Sequence, residues 1–116
     1  MNDFARNADD DRDLLRCYAE AGAEAENAFR RLVEKYSGLV YGTAMRRLAN
    51  PEWASDATQN VFAALAAKAP ELVRADIPAV GAWLHRAATL ESIRVQRDQL
   101  RAQQRQALIR EELSSV

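Results

Sequence analysis

An all-α fold, a compact bundle of about four helices with the last one long and Arg-striped, is what three observations predict. Apolar residues recur at steps of three and four along most of the chain. Alanine is the commonest residue, beside only four Gly and three Pro. No hairpin dipeptide such as Asn-Gly or Asp-Gly occurs. At 116 residues the chain makes one domain with a real core and needs no disulfides to hold it.

Residues 1–10 are polar and aperiodic and are expected to be a flexible lead-in. Asp9, Asp10 and Asp11 then stand where a helix N-terminus favours negative charge. Leu14, Leu15, Tyr18 and Ala21 follow at helical spacing, and Gly22 is expected to close this short first helix. Cys17 reads as a small buried hydrophobe on it.

A second helix is expected over residues 24–49. Phe29, Leu32, Val33, Tyr36, Val40, Ala44, Met45 and Leu48 form its apolar stripe. Gly38 and Gly42 lie one turn apart and suggest close helix packing. The clearest boundary is Asn50-Pro51: Asn is a good N-cap, and Pro suits the first helical position because its missing N–H would be unpaired anyway.

The third helix runs from Pro51 to about Ala69, with Ala54, Ala57, Val61, Phe62 and Leu65 inward and Pro70 as its stop. Residues 71–77 are expected to be a loop, since Pro78 disfavours helix at the residue before it. Pro78 opens a fourth helix that can extend to Leu113. Its first half is apolar and aromatic (Val80, Trp83, Leu84, Ala87, Ala88), and its second half is rich in Gln and Arg.

The net charge of −1 hides an asymmetry. Residues 1–34 hold nine acids and five Arg, a balance of −4; residues 83–110 hold six Arg and two acids, a balance of +4. Such a split suggests two surfaces with different partners. On a wheel of about 100° per residue, Arg86, Arg94, Arg97, Arg101 and Arg105 share an arc of about 100°, and Arg110 falls opposite. A stripe of forked, permanently charged donors beside aromatics suits a phosphate backbone with unpaired bases. From composition alone a solvated face laced by Glu91–Arg94 and Arg94–Asp98 pairs is the commoner role of such a charge run.

One Cys and one His exclude a Cys/His zinc site and an internal disulfide framework. No nucleophile–base pair, phosphate loop or metal spacing is visible, so no catalytic residue, metal or cofactor is expected and the enzyme class has little support. No stretch approaches the ~20 apolar residues of a membrane span and no signal peptide opens the chain, so a cytoplasmic location without a membrane partner is expected.

Three blocks carry a resemblance. The segment Trp53-Ala-Ser-Asp56-Ala-Thr-Gln59-Asn-Val61-Phe62 resembles the region 2.2 helix of bacterial sigma factors of the extracytoplasmic-function (ECF) group, through Ala54, Asp56, Thr58, Gln59, Val61 and Phe62 in register. Residues 28–36 with Val40-Tyr41 resemble region 2.1, and Gly81-Ala-Trp83-Leu84-His85-Arg86-Ala87-Ala88 resembles the opening of region 2.4. The resemblance covers about residues 11–105 and implies a region 2 helical domain, with 106–116 a helix end and the start of a linker. Nothing after Arg105 resembles region 4, the family's −35-reading domain.

What the resemblance implies is a transcription initiation domain. It would bind RNA polymerase core at the beta-prime clamp helices, and recognise and melt the promoter −10 element by capturing its non-template strand. An anti-sigma factor is a further candidate partner. Asp56, Gln59, Asn60 and Ala63 are then the polymerase-facing residues. Residues 71–77 correspond by position to a base-pocketing loop, where Arg74 and Asp76 would offer polar contacts. With Arg86, Arg94, Arg97, Arg101 and Arg105 they make the DNA-facing set. Trp83 is expected in the core or against the opening duplex, and His85 at solvent or a partner. Two departures bear on DNA preference: Thr89-Leu90 stands where the family commonly has Arg-Asn, and the arginines are spread at whole-turn spacing. The alternative is a helical protein-interaction module, clamp- or anti-sigma-binding, without DNA contact.

Overall fold

Four helices and no strand make up the computed structural model among its described residues, 3–116, with side chains described from residue 10 onward: α1 (Asp3–Ala19), α2 (Ala25–Leu48), α3 (Pro51–Arg74) and α4 (Val80–Ser114). The all-α bundle expected from periodicity is what the chain forms. Helix α1 starts at Asp3, inside the segment expected to be a flexible lead-in. Residues 1–2 of that lead-in lie outside the described residues. Gly22 does not close α1. The helix ends at Ala19, and Ala21 takes the left-handed turn with φ 56°.

The Asn50-Pro51 boundary forms as its chemistry requires. Asn50 Oδ1 accepts the Trp53 N–H at 3.1 Å, and Pro51 is the first helical residue. One residue earlier, Ala49 is left-handed at φ 52° and its N–H closes α2 on the Met45 carbonyl.

Pro70 does not end α3; the helix runs one turn further, to Arg74. Proline inside a helix costs about 3 kcal/mol. Beyond it lie buried Leu72 and half-buried Val73, each contributing about 1.5–3 kcal/mol when fully buried. That burial offsets the proline. The loop expected at residues 71–77 is therefore displaced to 75–79, and Arg74 sits on helix.

The main core gathers Leu15, Leu32, Val40, Val61, Phe62, Leu65, Leu72, Val80 and Leu84 from all four helices. A smaller one joins Ala44, Leu48, Ala54 and Ala57, with Trp53 and Val95 packed on it. Trp83 is half-buried against the main core. Cys17 is also only half-buried, short of the core position expected for it.

Gly38 and Gly42 face no neighbouring helix. The close approach occurs at Gly81, where a Cβ would lie 2.9 Å from Tyr36 Cε1. Tyr36 is pinned there. Its hydroxyl donates to Asp11 Oδ2, and Lys35 Nζ reaches Asp11 Oδ1 at 2.7 Å. Asp11, expected as a charge at a helix N-terminus, lies in the middle of α1 and is only 2% exposed. Its spacing from Leu15 places it on the core side of α1. Among the described residues no helix is long and apolar enough to cross a membrane.

Candidate functional site

The outer face of α3 is built by the same spacing that builds the core. Its buried residues (Ala54, Ala57, Val61, Phe62, Leu65, Ala69, Leu72) occupy one arc of the wheel. Asp56, Gln59, Asn60 and Ala63 fall on the opposite arc, and all four are exposed. They form one patch with a carboxylate, two amides and a methyl. Asn60 also reaches sideways: its Nδ2 donates to Glu91 Oε1 of α4 at 2.9 Å.

Glu91 is the middle of a short chain of contacts on the α3–α4 seam. Arg94 Nε donates to its Oε2 at 3.0 Å, and Arg94 Nη1 donates to Asp98 Oδ2 at 3.0 Å. The bond from Arg94, aided by that from Asn60, holds the Glu91 carboxyl below its ordinary range despite partial burial; the same contact raises Arg94. The i,i+3 and i,i+4 pairs that the spacing allows are thus formed, and Arg94 is committed to two carboxylates. Arg86, Arg97, Arg101 and Arg105 are exposed and form no ion pair among the described residues. Trp83, Lys68, Leu90, Arg86 and Arg94 line a groove between α3 and α4. An aromatic and cations share that wall.

Arg74 and Asp76 are both exposed but sit on different elements, Arg74 in the last turn of α3 and Asp76 in the following loop. Asp76 is left-handed at φ 51°, a conformation Asp tolerates better than most residues, and its Oδ1 lies 3.7 Å from Arg12 of α1. The crevice beneath, lined by Arg12, Leu15, Leu72, Val73 and Ile77, has a volume of about 10 Å³. That is room for about one water. A base could enter it only if the loop moved.

Two groupings escaped the sequence reading. One is the Asp11–Lys35–Tyr36 cluster; its only signal is the i,i+4 step from Asp11 to Leu15. Burial, then the hydrogen bond to Asp11 and its charge, push the Tyr36 hydroxyl far above its ordinary value. The other is a basic cleft between α2 and α4, lined by Thr43, Arg46, Arg47, His85, Thr89 and Gln96. Its members lie 38 or more residues apart across the two helices, beyond any local pattern.

A family model described as Sigma-70 region 2 matches residues 32–106. No curated protein and no solved structure matches the chain. The matched span holds most of α2, all of α3 and the first three-quarters of α4, and so includes both the exposed α3 patch and the arginine face. By that match the chain belongs to the sigma-70 region 2 family, transcription-factor domains that bind RNA polymerase core and recognise the promoter −10 element.

Proposed function

We propose that this is an ECF-type region 2 domain working in the cytoplasm, which docks on the beta-prime clamp helices through α3 and holds the non-template −10 strand along α4. The exposed arc of Asp56, Gln59, Asn60 and Ala63, opposite the core, is the observation that carries it. A carboxylate and amides on a rigid helix suit a basic, polar partner helix. Residues 11–105 are the functional unit in this reading, and residues 106–116 lead out of it. An anti-sigma factor would compete for the same α3 face.

On the DNA side Arg86, Arg97, Arg101 and Arg105 offer free guanidinium groups, Trp83 and Leu90 offer stacking and apolar surface, and Arg74 and Asp76 flank the loop. If about four arginines touch single-strand phosphates, log K against log[salt] slopes at about −2.8. The deciding experiment is capture of RNA polymerase core by the immobilised domain. Wild type is expected to retain core, and Asp56→Arg to weaken retention at least about tenfold. A wild-type domain that fails to hold core ends this reading.

A second reading, a protein-interaction module without DNA contact, draws on the commitment of Arg94 to Glu91 and Asp98. It predicts core binding with a DNA salt slope near zero.

A further inference from the structure

The cleft between α2 and α4 gathers like charge without a counter-charge. Arg46 and Arg47 come from the last turn of α2, His85 from the first half of α4, and Thr43, Thr89 and Gln96 complete the lining. No carboxylate lines it. Neither arginine forms an ion pair among the described residues.

The hydrogen bonds here position the Arg46 side chain and the end of α2 and leave the charge without a counter-ion. Arg46 Nη2 donates to Thr43 Oγ1 at 3.3 Å, and that hydroxyl donates to the Leu39 carbonyl at 2.8 Å. Gln96 Nε2 donates to the Arg47 carbonyl at 2.9 Å, which fixes the end of α2 against α4. Arg94 is the contrast: it too is exposed, but two acids occupy its donors. Cations in a last helical turn complement the helix dipole. That accounts for two arginines on α2, and it does not account for a histidine and two further polar side chains facing them from another helix.

The cleft is shallow and open to solvent, with about 640 Å³ of water-accessible space, so a hydrated phosphodiester can lie in it. On the same wheel His85, Thr89 and Gln96 fall about 180–220° from Arg94, so the cleft lies round the helix from Arg94, Arg101 and Arg105, and Arg86 and Arg97 are the members of the arginine arc nearest to it. We infer that this cleft is an anion site for a DNA backbone phosphate, with Arg46 and Arg47 as its forked donors and His85 and Gln96 as its far wall. The inference deepens the proposed DNA-binding role and rests on this domain binding DNA. A second anchor off the helix axis would fix the roll of α4 on the nucleic acid, which a single stripe cannot do.

The test is fluorescence anisotropy of a labelled forked duplex carrying a −10-like sequence, bound by the whole 116-residue chain over a salt series. Wild type is compared with R46Q/R47Q and with R101Q/R105Q, each checked for unchanged helicity. The cleft variant is expected to bind about tenfold more weakly at low salt, with a salt slope shallower by about 1 to 2, regardless of DNA sequence. If R46Q/R47Q keeps the wild-type slope while R101Q/R105Q loses it, the cleft is overturned and the α4 reading stands. If only R46Q/R47Q shifts the slope, the cleft stands and the α4 reading falls. A wild type without measurable binding overturns both. Poly-glutamate that competes as well as DNA at matched charge makes the cleft a peptide site and also overturns the inference.

Discussion

Gly81 shows how one missing side chain organises three helices. It lets the Tyr36 ring lie against the α4 backbone, and that ring carries its hydroxyl to buried Asp11 on α1. A methyl at position 81 would push on a ring that the Asp11 bond keeps from swinging away. Gly81→Ala should therefore destabilise by about 1–3 kcal/mol in urea unfolding. In a Tyr36→Ala background the same change should be neutral or stabilising, since Ala is the better helix former. Equal costs in both backgrounds would show that the ring is not the obstacle. Tyr36 also sets a pH response. Its folded value is raised above the unfolded one, so its contribution is complete below about pH 10 and is lost as pH climbs from there toward the folded value. Melting temperature between about pH 9 and 11 should fall faster for wild type than for Tyr36→Phe.

Among the elements, α3 departs furthest from its local signals. Pro70 reads as a stop, yet the turn after it is helical because Leu72 and Val73 find the core. Proline lacks the N–H that would bond the Ala66 carbonyl. Pro70 is exposed, so Pro70→Ala should restore that bond without disturbing packing. A gain of about 1–2 kcal/mol is expected, reduced from the full propensity difference because Ala also frees the unfolded chain. Chemical denaturation measures it; a loss of stability would mean that the proline shapes the turn around Leu72. Helix α2 carries the opposite lesson. Its two glycines suggest a tight crossing, yet a Cβ at Gly38 would meet open space and one at Gly42 only the Arg46 side chain of the same helix, because both fall outside the stripe that Leu32, Val40, Ala44 and Leu48 bury.

At the scale of the molecule the bundle is drawn out by one helix. The radius of gyration is 18.4 Å and the longest axis 68 Å, against about 13 Å for the radius of a compact 100-residue domain. Helix α4 accounts for the excess: residues 103–116 are exposed throughout, and Leu108, Ile109 and Leu113 lie bare on it. Deleting residues 107–116 should change unfolding free energy by less than about 0.5 kcal/mol. A larger loss would place part of the core's support in that segment. What residue spacing determined by itself was the set of helices, the Asn50 cap, the inward stripes and the outward set on α3, since each depends on neighbours within four or so residues. The tertiary structure alone decided that Asp11 is buried, that Pro70 is overrun, that Gly81 is the tight contact, and that Arg46 and Arg47 meet His85 and Gln96. Those outcomes depend on which helix faces come together, and the free energy that selects them is burial between residues distant in the chain, which no local period encodes.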